Sequence, residues 1–207
     1  DSLDDETFQA MNDVDFPVAR VLEGIEAAAA EGLPVKVNAV VKRGLNEHAI
    51  LDMARHFRGT GHTVRFIEYM DVGATNGWRL DDVVPAEEII AAIDARWPLE
   101  AVDRDYRGEV AQRYRYRDGR GAVGVIASVT RAFCAQCDRI RLTADGQVRT
   151  CLFATTEHDL RSVLRSGAGD DAVAQVYLDA VARKQWGHRI NEADFVPPAR
   201  GMSQIGG

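Results

Sequence analysis

The sequence predicts an α/β fold that begins with parallel strands and continues antiparallel. Three observations carry this. Compact β-branched runs at 35–41 and 64–70 flank a helical pattern at 46–57, which reads as a βαβ unit with a right-handed crossover. Beyond Pro98 come short strand-like runs at 111–116, 124–129, 140–143 and 148–153, the last two around an Asp145-Gly146 turn. The apolar content of 46% with 28% charged residues is ordinary for a globular chain.

The elements follow in order. Asp4, Asp5, Glu6 and Thr7 open a short helix, and Pro17 opens another over 18–31 that Gly32 ends. The first strand runs through Val35, Val37, Val40 and Val41. Asn46 and Glu47 start the next helix, with Ile50, Leu51, Ala54 and Phe57 at helical spacing, and Gly59 and Gly61 stop it. The second strand, 64–70, ends on Met70, which the pattern alone reads as core packing. A helix over 85–96 has Pro85 in its first turn and Pro98 beyond its end. Helices at 160–165 and 171–185 follow the hairpin. The stretch 196–207, with Pro197, Pro198, Gly201, Gly206 and Gly207, reads as irregular. A domain boundary is expected near Pro98, giving portions 1–98 and 99–207.

Charge and composition exclude several classes. Lys and Arg number 25 against 32 Asp and Glu, a net charge of −7, which argues against non-specific nucleic-acid binding. No apolar run approaches the length of a membrane span. There is no secretory signal and the cysteine count is odd, so a reducing compartment, the cytoplasm, is expected.

The most specific feature is the placement of the 3 cysteines, Cys134, Cys137 and Cys151, as C-x2-C-x13-C. Two thiols three residues apart grip one centre from a single turn, and a third returns after Asp145-Gly146. Such thiolates suit zinc or an iron–sulfur cluster. Buried free cysteines, a disulfide, or a dithiol redox pair that ignores Cys151 account for less of the pattern. Zinc normally wants four protein ligands, and His158 is the nearest candidate for the fourth. Spacing alone leaves zinc and iron level. Arg131, Arg139, Arg141 and Arg149 surround the cysteines with positive charge.

Two further cations sit where a buried strand should carry none. Lys36 and Arg65 interrupt the two apolar strands, and an unpaired cation in a dry interior costs several kcal/mol. Lys36 and Asn38 share a face by alternation. Both cations read either as clamps for phosphate or carboxylate or as partners of acidic neighbours such as Glu68.

The segments Ser2-Leu3-Asp4, Val35-Lys36-Val37-Asn38, Gly44-Leu45-Asn46, Val64-Arg65-Phe66-Ile67-Glu68-Tyr69-Met70, Phe133-Cys134-Ala135-Gln136-Cys137-Asp138-Arg139-Ile140-Arg141-Leu142-Thr143 and Gly201-Met202-Ser203, with the closing Gly206-Gly207, resemble those of the radical-SAM GTP 3',8-cyclases of molybdenum-cofactor biosynthesis. The resemblance runs essentially from end to end. It implies the C-terminal part of an incomplete triosephosphate-isomerase-type (β/α)6 barrel, followed by a mixed α+β cluster-binding domain. It implies a [4Fe–4S] cluster on Cys134, Cys137 and Cys151, GTP held by Lys36, Arg65, Arg139, Ile140 and Arg141, and S-adenosylmethionine touching Met70. Gly206 and Gly207 match a tail that supports catalysis. The family's second [4Fe–4S] cluster uses a C-x3-C-x2-C motif that this sequence lacks, and its first four barrel strands lack counterparts. The expectation is that this segment alone makes no radical and is poorly soluble without the missing half. Implied partners are GTP, that N-terminal half, a second copy in a homodimer, and cyclic pyranopterin monophosphate synthase downstream. Competing readings are a radical-SAM enzyme acting on a peptide and a zinc-stabilised binding module.

Overall fold

A computed structural model of the chain describes residues 1–73, 76–184, 188, 190, 192 and 195–205. Its contacts divide into two units, Asp1–Tyr69 with Arg79–Arg131 and Met70–Trp78 with Ala132–Gly207. This grouping differs from a division near Pro98. Strands β3 (Leu99–Val102), β4 (Gln112–Tyr116) and β5 (Ala122–Ile126) join β1 (Lys36–Val41) and β2 (Thr63–Glu68) in one sheet, so backbone pairing carries the first unit past that proline.

The sheet of the first unit has the order β1-β2-β5-β4-β3. β1 pairs with β2 and β2 with β5 in parallel, whereas β5, β4 and β3 pair antiparallel, so the sheet is mixed. Helix α1 (Asp5–Asn12) is capped by the Asp4 carboxylate, which accepts the Thr7 N–H at 2.9 Å. It is followed by α2 (Val18–Ala30), α3 (Ile50–Phe57) and α4 (Ala86–Arg96). The first turn of the expected 46–57 helix is instead a 3₁₀ turn, Glu47–Ala49. α3 and α4 bury Ile50, Met53, Phe57, Ile89 and Ile93 with Ala39, Val41, Val64, Phe66, Val123 and Val125 of the sheet. Alternation along β1 and β2 then turns Lys36, Asn38 and Arg65 to the opposite, more open face.

Glu68 closes β2 from inside this core. It is 0% exposed, and its oxygens accept from the backbone N–H groups of Ala86 (2.7 Å), Val129 (2.8 Å) and Thr130 (2.8 Å) and from the Thr130 hydroxyl (2.5 Å). The carboxylate therefore caps α4, whose own Pro85 offers no side-chain cap, and ties it to the segment after β5. Glu68 is not the partner of Arg65: the two lie an odd number of residues apart on one strand and point to opposite faces. Strand β2 ends at Glu68, so Met70 lies beyond the strand it was expected to terminate.

The second unit is built on a small antiparallel sheet of β6 (Arg141–Leu142), β7 (Gln147–Arg149) and β8 (His158–Asp159). Helices α5 (Leu160–Arg165) and α6 (Asp170–Ala182) cover it, with Val148, Leu160 and Ala180 at the centre. The Asp145-Gly146 turn has the predicted position. Gly146 adopts φ +81, and a Cβ there would lie 2.6 Å from Cβ of Arg161, so the turn requires glycine twice over. Its carbonyl accepts the N–H groups of Leu160 and Arg161, each at 3.1 Å, which fixes the start of α5. α6 stops at Ala182, three residues before the expected end at Gln185, which lies outside the described residues. The closing stretch contains one regular element, a 3₁₀ turn at Met202–Gln204. Among the described residues, no helix is long and apolar enough to cross a membrane.

Candidate functional site

The candidate residues fall into two groups, one in each unit. In the second unit Cys134 opens a 3₁₀ turn, Cys134–Gln136, and the Cys137 N–H returns to the Cys134 carbonyl at 3.1 Å. Arg139 then reaches back over this turn. Its Nε and Nη2 each donate to the Cys137 sulfur at 3.3 Å, and its guanidinium lies over the Phe133 ring, 4.6 Å from the centroid. Lys184, just past α6, donates to the carbonyls of Cys137 (2.6 Å) and Arg139 (3.3 Å) and pins the loop from below. Burial by itself would raise the Cys137 thiol. The Arg139 amide and guanidinium, with the Lys184 charge, outweigh it and hold the thiol below its ordinary value.

Cys151 enters from the end of β7. Its sulfur accepts the Phe153 N–H at 3.4 Å, and its carbonyl accepts the Ala154 N–H at 3.3 Å, forming a tight turn. Arg149, 2% exposed, braces this turn from within by donating to the carbonyls of Leu152 (3.3 Å) and Ala154. Phe153 packs against His188 and Phe195, with centroids 5.2 Å and 5.7 Å apart. Arg141, at the start of β6, feels the charges of both Cys151 and Cys137. Burial and the neighbouring Arg139 nevertheless hold its guanidinium below its usual value. Its Nε is buried and has no hydrogen-bond partner among the described residues, which leaves a donor for a bound acceptor.

Two of the three sulfurs thus accept N–H bonds, and two guanidinium groups act on them. That environment suits thiolate ligands of an iron–sulfur cluster, whose negative charge such bonds offset. Among the described residues, no three His, Cys, Asp or Glu side chains form a ligand set for a metal ion. His158, the candidate fourth ligand for zinc, belongs to β8 opposite Val148. Of the other residues singled out in the sequence, Ile140 is exposed between Arg139 and Arg141, and Met70 is half-buried in the Met70–Trp78 segment. Arg131 lies in the first unit and faces Glu87 at 3.9 Å. Gly206 and Gly207 lie outside the described residues.

The other group occupies the open face of the large sheet. Register sets Asn38 beside Arg65 and Arg65 beside Gly124. Arg65 Nε donates to Asn38 Oδ1 at 2.8 Å, so of the two readings the acidic partner is not found, and no ion pair compensates its charge among the described residues. Gly124 makes room for its stem, since a Cβ there would lie 3.0 Å from Arg65 Cγ. Lys36 is exposed two residues before Asn38 on the same face. Sequence reasoning singled out Lys36, Arg65, Arg139 and Arg141 and named Arg149 among the cations near the cysteines, though not its bracing of the Cys151 turn, and it passed over Lys184. Arg149 carries a readable signal, a cation two residues before a ligand-type cysteine at the end of a strand. Lys184 carries none.

The described residues make a mixed α/β protein whose three cysteines lie in a segment rich in arginines. Residues 62–190 match the family model described as Molybdenum Cofactor Synthesis C, and the chain belongs to that family. It is similar to GTP 3',8-cyclase of Acidothermus cellulolyticus, with 51% identity over 190 residues, 91% of this chain and 52% of that protein. Its similarity to GTP 3',8-cyclase of Xanthomonas axonopodis pv. citri is 44% over 215 residues, 100% of this chain and 62% of that one. For the GTP 3',8-cyclase of Streptomyces coelicolor the figures are 47% over 189 residues, 90% and 55%. The chain therefore spans 52% to 62% of the length of these relatives.

Proposed function

We propose that this chain supplies the substrate end of a GTP 3',8-cyclase, a radical-SAM lyase that converts GTP to 3',8-cyclo-7,8-dihydro-GTP in the first step of molybdenum-cofactor biosynthesis. The observation that carries the reading is the double N–H bond from Arg139 to the Cys137 sulfur, beside an Arg141 whose buried Nε lacks a partner among the described residues. Cys134, Cys137 and Cys151 would hold a [4Fe–4S] cluster. With three thiolate ligands, that group supplies one open iron position able to take a donor atom of the guanine base.

The protein's own contribution is positioning and electrostatics. Lys36, Arg65, Arg139 and Arg141 are cations suited to a triphosphate, and guanidinium groups do not act as acids near neutral pH. Ile140 would give apolar contact between the two arginines. Met70 is the residue of this chain assigned to touch S-adenosylmethionine, whose cleavage belongs to the remainder of the enzyme. The barrel reading is supported by the parallel run β1-β2-β5, with helices on one face and Lys36, Asn38 and Arg65 on the other, as a barrel interior would carry them. Partners would be that remainder, a second copy of the chain, and cyclic pyranopterin monophosphate synthase downstream, in the cytoplasm.

Calorimetry of GTP binding to anaerobically reconstituted protein tests the assignment. Arg139→Ala or Arg141→Ala should each weaken binding by about 1.5–3 kcal/mol, roughly tenfold to a hundredfold. Unchanged affinity in both variants would remove GTP from this site.

A further inference from the structure

We propose that Glu157 is a positioning residue that couples the docking of segment 200–205 to the placement of Cys151. The carboxylate stands between two arginines and serves both with the same oxygen. Oε1 accepts from Arg149 Nη1 at 2.5 Å and forms an ion pair with Arg200 Nε at 3.0 Å. Arg149 is the buried brace of the Cys151 turn, donating to the Leu152 and Ala154 carbonyls on either side of Phe153. Arg200 is the anchor of the closing segment, and its Nη1 and Nη2 go to the two oxygens of Asp145 at 3.2 Å and 2.8 Å.

The chain of contacts is therefore continuous: Thr143, Asp145, Arg200, Glu157, Arg149, and the turn that carries Cys151. The Thr143 hydroxyl donates to Asp145 at 2.5 Å and keeps that carboxylate turned towards Arg200. Two cations and two carboxylates alternate along it, so the intact chain is neutral, and loss of any one leaves an uncompensated neighbour. Arg149 is the neighbour that tolerates this least, because it is 2% exposed and its Nε has no partner among the described residues.

The segment beyond Arg200 is held at two further points. A Cβ on Gly73, which has φ +93, would lie 3.2 Å from Cα of Gly201, so the two backbones meet where only glycine fits. Five residues past Arg200, Ile205 is 0% exposed. With Arg200 in place, Glu157 is held against Arg149, and the Cys151 turn keeps its shape. With Arg200 withdrawn, Oε1 loses one of its two cationic partners, and Arg149 loses the restraint on its acceptor. The value of this coupling for catalysis rests on the function proposed above, but the coupling itself does not.

The test uses the metal-free chain and reads the alkylation rate of each cysteine by mass spectrometry, with Cys134 as the internal reference. Arg200→Gln removes only the anchor and touches no cysteine. It should raise the Cys151 rate relative to Cys134 by about threefold or more, the range of a part-exposed ion pair. Asp145→Asn, which contacts neither Arg149 nor the Cys151 turn, should do the same and also speed tryptic cleavage after Arg200. Arg200→Lys should restore part of the protection. An unchanged Cys151-to-Cys134 ratio in both Arg200→Gln and Asp145→Asn overturns the proposal, as does an equal acceleration at every cysteine. These readouts involve neither cluster nor nucleotide, so failure to reconstitute a cluster would defeat the functional reading and leave the ratio as it is.

Discussion

Arg139 and Cys137 are joined by two hydrogen bonds, from Nε and Nη2 to one sulfur, each 3.3 Å long. The pair sets a guanidinium directly against the Cys137 sulfur. Removing the side chain takes away both N–H···S bonds and the charge, and each loss disfavours added negative charge at a thiolate-bound centre. Arg139→Ala should therefore shift the midpoint potential of the reconstituted protein to more negative values, with Arg139→Lys between the two. Potentiometric titration followed by electron paramagnetic resonance checks the order. A potential identical in all three proteins would separate Arg139 from the sulfur ligands.

Gly124 and Arg65 make a second pair that can be tested. A methyl group at Gly124 would press on Arg65 Cγ from 3.0 Å and push the guanidinium away from Asn38. Gly124→Ala should weaken GTP binding by about 1–2 kcal/mol, in proportion to one disturbed charged hydrogen bond. Calorimetry beside a thermal melt distinguishes this from general unfolding, since the melt should move much less than the affinity.

Glu68 should prove essential to the first unit although it touches no proposed ligand. Glu68→Ala takes the carboxylate acceptor from the buried N–H groups of Ala86 and Val129 and from the part-buried one of Thr130. The expected loss is roughly 3 kcal/mol or more. Glu68→Gln should also destabilise, because its amide would turn a donor towards donors. Denaturant unfolding measures both, and a wild-type midpoint for the alanine variant would contradict the packing described.

The pairing of Asp145 with Arg200 gives a pH dependence. Hydrogen bonds from Arg200 and then from the Thr143 hydroxyl hold the Asp145 carboxyl well below the usual carboxylate range. A depressed folded value means that the contribution is full above the unfolded value of about 4 and fades as pH falls through the lower folded one. The difference in melting temperature between wild type and Asp145→Asn should accordingly be constant near neutral pH and shrink in acid. A difference that grows as the pH falls would reverse the sign and rule out the pairing.

Much of this architecture was legible in the residues. Apolar periodicity found β1, α3, β2 and α4, and Asp145-Gly146 marked the hairpin, because each of these signals is local. Strand β3 escaped notice: directly after Pro98 its four residues offer only a short, mixed pattern, and pairing with β4 makes it a strand. Alternation could have corrected one expectation, since Arg65 and Glu68 are three residues apart on β2 and cannot share a face. The chain from Asp145 through Arg200 and Glu157 to Arg149 was out of reach, as it joins side chains up to 55 residues apart that no local pattern connects. The cysteine spacing was clear from the outset, yet it left zinc and iron level, because spacing reports ligand geometry rather than the metal's identity.

The central claim is that Cys134, Cys137 and Cys151 hold one iron–sulfur centre that meets a nucleotide, and anaerobic reconstitution with iron and sulfide tests it most directly. The account predicts a brown protein with roughly four irons per chain, lost when Cys151 is changed to serine, and with a resonance spectrum that shifts on adding GTP. Stoichiometric zinc without a chromophore, or a cluster indifferent to the Cys151→Ser change, would contradict it.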